Sequence, residues 1–365
     1  MLRAAVMPGP MKPLEVRELP DPALEPGSAL LETIVSEVCG TDVHLHHGRL
    51  SDVPYPIIPG HVSVGRLLEA KDVSVDALGN PLSRDDVVTF YDVHEVCNEC
   101  WYCLVAKQPN RCPRRRVYGI TYSVDDGPLG GWAERIYLKP GVRIVKLPDG
   151  VTPDEVIGGG CGLFTGFAAV ERSTLAMADT VLVQGAGPVG LSAVAFAALR
   201  GAGLVVVIGD PPARLALARS LGADVTLSLD QHPPDEREEL IRELTDGRGV
   251  DVAIEAAGSP DAIAEGLRLL RDGGTYVVAG HYTDVGSTNV NFHTAVNRKH
   301  ADIRGQWGTD FAHLVRALKL LSKHRERLRF ADIIGSRYGL DEAGRALADV
   351  ESLRVTKAVI VPSPR

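Results

Sequence analysis

The sequence has no surplus of positive charge. Its 39 Lys and Arg stand against 47 Asp and Glu, a formal net charge of −8. That balance removes the electrostatic footprint a nucleic-acid binder needs, and the one basic run, Arg114–Arg116, reads as a solvated face. A long apolar opening is also missing: MLRAAVMPGPMKP carries no hydrophobic region of the secretory kind. The charge-free stretch from Thr180 to Leu199 approaches the length of a membrane span. Gln184, Gly185, Gly187, Pro188 and Gly190 interrupt it and Arg200 ends it, so a strand, a turn and a buried helix fit it better than a lipid-spanning segment. There is no internal repeat and no low-complexity tract. Cysteine is scarce, with six in 365 residues, and four of them fall between Cys97 and Cys112. A cytoplasmic protein is expected, and its thiols stay reduced, which disfavours disulfides.

What is present is ordinary for a soluble globular chain, with 45% apolar and 24% charged residues. At 365 residues one hydrophobic core is not expected to serve the whole, so two domains are expected. Up to about residue 160 the chain is rich in Gly and Pro, with short β-type runs such as LLETIV and VGRLLEA, the texture of an irregular β domain. From about Ala178 the pattern changes. VLVQ, LVVVIG, VDVAIEAAG and GTYVVAG read as strands, while LSAVAFAALRGAG and PARLALARSLGA read as helices. Strands alternating with helices of this length indicate βαβ units and a parallel sheet. Beyond residue 300 a helix, FAHLVRALKLLSKH, precedes a last apolar strand, TKAVIVP.

The run CNECWYCLVAKQPNRC has the spacing C-x2-C-x2-C-x8-C. Four thiolates on one tight loop can wrap a tetrahedral zinc ion, and four protein ligands leave no position for substrate, so a structural site is expected at Cys97, Cys100, Cys103 and Cys112. An iron–sulfur cluster also takes four thiolates, but no electron-transfer partner site is evident, and zinc is preferred. The second motif is Gly185-Ala186-Gly187-Pro188-Val189-Gly190, a G-x-G-x-x-G that follows a strand and opens a helix. In that setting the glycines let the backbone approach a pyrophosphate, whose charge meets the helix N-terminus. Redox chemistry with a dinucleotide is the leading class.

A catalytic zinc keeps three protein ligands and one open position. The two cysteines outside the loop need a histidine, and the candidates lie in VCGTDVH (38–44), PGHVSVG (59–65) and GGCGLFTG (159–166). Together with the cysteine loop and the glycine turn, these motifs resemble the zinc-dependent medium-chain alcohol dehydrogenases, in order and over essentially the whole chain. The resemblance implies an α/β fold: a GroES-like, β-rich catalytic domain over 1–162, a Rossmann doubly wound cofactor domain over 163–300, and a return to the catalytic domain over 301–365.

It further implies two zinc ions per chain, with Cys39, His61 and Cys161 as catalytic ligands. Asp42 would orient His61, and Thr41 and His44 would relay the alcohol proton through the cofactor ribose to solvent. Thr165 would lie near the nicotinamide and Lys357 near the cofactor phosphates. The expected partners are a small alcohol or carbonyl and a second copy of the chain, as dimer or tetramer. One departure stands out. The family reads Gly-His-Glu where this chain reads Gly60-His61-Val62, so ligand exchange at the metal is expected to be slower or to rely on water. A zinc-free quinone or enone reductase of the same superfamily, or a non-catalytic relative, is the alternative.

The cofactor is NAD(H) or NADP(H). Asp210 lies 20 residues past Gly190, where an acid holds the ribose 2′-OH of NAD. The family register instead puts Gly209 at that place, with Arg214 free to meet a 2′-phosphate. The two prolines after Asp210 could turn its carboxylate to the ribose, which tips the balance slightly to NAD(H).

Overall fold

A computed structural model of the chain describes residues 1–362. It divides into two compact units. The first comprises Met1–Gly160, Asp310–Lys323 and the chain from Phe330 onward; the second comprises Cys161–Thr309 and His324–Arg329. No helix among the described residues is long and apolar enough to cross a membrane.

The first unit is built around a seven-stranded sheet. Its long strand, Ala29–Val38, alternates buried and half-buried positions before becoming buried throughout, as expected where neighbours cover both faces. It pairs antiparallel with Ser63–Ala70, with Arg135–Leu138 and with the last strand, Lys357–Ile360. The apolar TKAVIVP segment thus returns to a sheet begun more than 300 residues earlier. Trp132 is fully buried in this unit, and its Nε1–H donates to the carbonyl of Glu37 at 2.9 Å. That satisfies the one polar atom the indole carries inside.

The second unit holds a six-stranded, all-parallel sheet in the order Val225–Ser228, Leu204–Gly209, Thr180–Gln184, Val250–Glu255, Leu270–Val278, Asp302–Gly305. This is the doubly wound order with a crevice where the winding reverses. Leu204–Gly209 is buried from Val205 onward, which is why it reads as a continuous apolar run. The sheet extends past residue 300, where the cofactor domain was expected to close. Asp302–Gly305 is largely exposed and polar, an edge strand without the apolar alternation that would betray it.

Under the helix Pro260–Leu269 lies a buried polar network. Tyr276 Oη–H donates to Gln184 Oε1 at 2.9 Å, Gln184 Nε2 reaches Glu265 at 3.3 Å, and Arg237 Nε donates to Glu265 at 2.7 Å. Gly266 makes room for it: a Cβ there would collide with the Gln184 amide oxygen and come within 2.5 Å of the Tyr276 ring. Gly→Ala in a helix normally gains roughly 0.5–1 kcal/mol. Here the crowding dominates, so Gly266→Ala is expected to destabilise by about 1–3 kcal/mol, read from chemical unfolding of the full chain. A stabilised variant would show that the network yields freely.

Candidate functional site

Among the described residues two groups of donors are close enough to hold a metal ion. The first is Cys97, Cys100, Cys103 and Cys112, whose ligand atoms all lie within 4.8 Å of one another. The short helix Trp101–Leu104 carries Cys103 and starts at Cys100, and a 3-10 turn, Pro109–Arg111, delivers Cys112. The sulfurs of Cys97 and Cys112 are 3.5 Å apart and those of Cys97 and Cys103 4.0 Å apart. Both are far beyond a disulfide bond, and none of the six cysteines is in a disulfide. They match the edge of a tetrahedron built on metal–sulfur bonds of about 2.3 Å, roughly 3.8 Å. The backbone already favours negative charge here. The N–H groups of Glu99 and Cys100 hold the Cys97 thiol down to about 6, whereas burial and then its sulfur neighbours push Cys103 up to about 12.

The second group is Glu37, Cys39, His61 and Cys161, again with ligand atoms within 4.8 Å. Cys39 ends the long strand and caps the helix Gly40–His46. Asp42 in the first turn of that helix takes the Cys39 N–H at 2.8 Å, which closes the cap and fixes where the thiol starts. Asp42 is fully buried; burial pushes its carboxyl up while the nearby His61 charge draws it down. His61 follows Gly60, whose φ of +88° sits in the left-handed region; a Cβ there would strike Ser36 and come within 3.0 Å of the Trp132 indole nitrogen. Cys161 follows Gly160, the kink in the helix Pro153–Arg172, with φ 54° and ψ −138°. A Cβ on Gly160 would collide with the Glu37 carboxylate and the Lys357 ammonium. Only glycine fits, and the clearance is used by those two charges. Two thiols, an imidazole and a carboxylate converging in this way fit a zinc ion chemically.

Glu37 is the donor that motif reading missed. Its only signal was an acid two residues before Cys39, in a strand that also carries Glu32, Thr33 and Ser36. It is wholly buried, its N–H donates to the Val62 carbonyl at 3.1 Å, and its Oε1 lies 3.4 Å from His61 Nε2.

The other candidates divide. Thr41 and His44 lie on the helix Gly40–His46, both half-buried. Burial, then the Arg49 and His47 charges, holds His44 below the usual imidazole value, so it is neutral near pH 7 and able to accept a proton. Arg49 Nη1 lies 3.4 Å from His44 Nδ1. Lys357 departs from its expected place at the cofactor phosphates. Its side chain is fully buried and its ammonium forms an ion pair with Glu37. The pairing follows from the sheet: Val359 faces Glu37 across adjacent strands, and Lys357 is two residues along on the same face.

In the second unit the glycine turn lies at the end of Thr180–Gln184. Gly185 adopts φ +105°, and a side chain there would press on the backbone of Ala256 at 2.8 Å. A Cβ on Gly190 would run into the Gly185 carbonyl, while around Gly187 nothing lies within 4 Å. The first and third glycines are therefore needed for packing, and the second leaves open space. Pro188 begins the helix Pro188–Arg200 and Val189 follows it, so the first-turn N–H groups sit beside that space. Thr165 is half-buried on the helix Pro153–Arg172. Gly209 backs onto the turn, its Cβ position 3.0 Å from Ala186. Asp210 does not turn as expected. Its carboxylate accepts the Ser228 hydroxyl at 2.8 Å and the Asp230 N–H at 3.1 Å, which holds it beside the outer strand Val225–Ser228. Arg214 is buried, and that burial lowers its proton affinity.

The chain is similar to known proteins along most of its length. Residues 25–149 match the alcohol dehydrogenase GroES-like domain, and residues 188–323 match the zinc-binding dehydrogenase domain. The chain is 34% identical over 362 residues to 5-exo-hydroxycamphor dehydrogenase of Pseudomonas putida, covering 98% of each. It is 34% identical over 284 residues to an alcohol dehydrogenase of Geobacillus stearothermophilus, covering 76% of this chain and 77% of that one. Among solved structures, an alcohol dehydrogenase from Thermotoga maritima superposes with a TM-score of 0.94 at 34% identity, covering 99% of both chains.

Proposed function

The chain belongs to the zinc-dependent medium-chain alcohol dehydrogenase family, and from that premise we propose that it oxidises a small alcohol, or reduces the matching carbonyl, at a zinc held by Cys39, His61 and Cys161. It is an oxidoreductase that moves hydride between such a substrate and a nicotinamide cofactor. The observation that carries the assignment of the site is the convergence of two thiols and one imidazole, from three separate stretches of sequence, into one donor group. A zinc ion there supplies Lewis acidity that eases deprotonation of an alcohol, and the nicotinamide supplies the hydride acceptor. Thr41 takes the hydroxyl proton, and neutral His44 receives it for release to solvent. Asp42 keeps Cys39 in place through the helix cap. Cys97, Cys100, Cys103 and Cys112 hold a second, structural zinc, so two ions are expected per chain. The relative named for 5-exo-hydroxycamphor supports a cyclic secondary alcohol as the first substrate class to try. Free thiols support a cytoplasmic location, and a homo-oligomer is the expected state.

Elemental analysis of the purified full chain tests the metal assignment. Cys39→Ser is expected to lose one of two zinc ions and turnover while retaining its fold. Cys100→Ser is expected to lose folding stability as well, because a structural zinc contributes folding free energy. Full turnover with both metals in Cys39→Ser would remove Cys39 from the site.

Both nicotinamide cofactors are expected to serve. The slight balance towards NAD(H) rested on Asp210 reaching the ribose, and the hold of Ser228 and Asp230 on its carboxylate removes that support. Gly209 leaves no acid beside the turn to repel a 2′-phosphate. Asp210→Ala should therefore leave the ratio of kcat/KM for NAD(H) and NADP(H) within about twofold of the parent, less than about 0.5 kcal/mol. A shift of tenfold or more towards NADP(H) would return Asp210 to the ribose.

A further inference from the structure

Four donors close a tetrahedral zinc site, and a catalytic site needs one position free. The group at Glu37, Cys39, His61 and Cys161 has one donor too many for that purpose. Thiolates and imidazole are the ligands zinc prefers, and a carboxylate is the harder partner, so Glu37 is the donor that can be given up. It also has somewhere to go. Lys357, with no solvent exposure, is ion-paired with the same carboxylate, also wholly buried. The Glu37 backbone cannot move with the side chain, because its N–H is held by Val62 and its carbonyl by Trp132 Nε1 at 2.9 Å. The place over Gly160, where any Cβ would strike both the carboxylate and the ammonium, is where the two charges meet.

The sheet also explains the missing acid at position 62. Ser36 faces Ser63 in the antiparallel pair Ala29–Val38 with Ser63–Ala70, and the Glu37 N–H bonds to Val62 one step further along. Residues that face one another across such a pair project to the same side. A glutamate at 37 therefore presents its carboxylate to the side that a glutamate at 62 would serve. Resting on the assignment of Cys39, His61 and Cys161 as metal ligands, we propose that Glu37 is a displaceable fourth donor. It closes the metal's shell at rest and withdraws to Lys357 when an outside ligand enters. Lys357 acts on the metal site through this carboxylate, and Val62 is compensated across the strand pair.

Cobalt(II) exchanged into the full-length protein reads this without turnover, since its visible absorption follows the ligand set. Imidazole, added as the incoming ligand, gives a difference spectrum from the site that can open. In Glu37→Gln the competitor is gone, and imidazole affinity should rise about tenfold; in Lys357→Met the carboxylate loses its refuge, and affinity should fall about tenfold. Either single change leaves one buried charge unpaired and can unfold the chain. Glu37→Gln/Lys357→Met removes both together and should bind imidazole as tightly as Glu37→Gln. The exchange variant Glu37→Val/Val62→Glu should return close to the parent affinity. An unchanged affinity in the doubly neutral variant, or tighter binding in Lys357→Met, overturns the proposal. Cobalt counted in Cys39→Ser separates this from the underlying assignment: a count that stays at the parent value sinks the ligand set itself, whatever Glu37 does.

Discussion

Two opposite charges with no access to water, Glu37 and Lys357, constrain how the strands of the first unit pair. Taking such a pair out of water costs several kcal/mol per ion, recovered only if the two meet in good geometry. Here that requirement acts on the sheet. Glu37 is on the long strand and Lys357 on the last one, joined in antiparallel register with Val359 opposite Glu37. A slip of one residue would send Lys357 to the other face and leave Glu37 buried without its cation. The return of the chain's end to its first domain is thus fixed in register by charge as well as by the apolar side chains of Ala358, Val359 and Ile360. Gly160 belongs to the same constraint, since the kink it permits is the one place in that helix where a side chain would displace the pair.

The two donor groups are made in opposite ways. The four cysteines fall within sixteen residues, and a metal can gather them with little help from the rest of the fold. Glu37, Cys39, His61 and Cys161 are brought together by a strand pair, a capped helix and a glycine kink. Their positions are set by hydrogen bonds to the backbone: Glu37 N–H to the Val62 carbonyl, Cys39 N–H to Asp42, Trp132 Nε1–H to the Glu37 carbonyl. The first arrangement would make a bound metal part of folding. The second would make the fold part of a metal site, as a centre proposed to exchange ligands requires.

The same difference explains what could be read from the sequence. The cysteine spacing and the glycine turn are local patterns whose chemistry is complete within a few residues, and they were legible at once. The parallel sheet was legible where strands are apolar throughout, as in Leu204–Gly209, and not at Asp302–Gly305, whose exposed polar residues pair only along one edge. Lys357 was misjudged because its position near the chain's end says nothing of what lies across the strand. Glu37 was passed over for the same reason: an acid two residues before a ligand has no meaning until the sheet sets Val62 opposite it. Asp210 was reached by counting along the chain, which cannot show that its side chain is held by Ser228 on the neighbouring strand.

Absence of a motif residue is therefore weak ground for inferring loss of its chemistry. Val62 read alone removes a carboxylate from behind the metal. In the fold it accompanies an acid one strand away, projecting to the same side and ion-paired with a buried cation. A strand pair offers two backbone origins for one side-chain position, and either can supply the group. What the proposed role requires is a carboxylate, a counter-charge and a backbone position with no side chain beside them. Glu37, Lys357 and Gly160 meet those three requirements together.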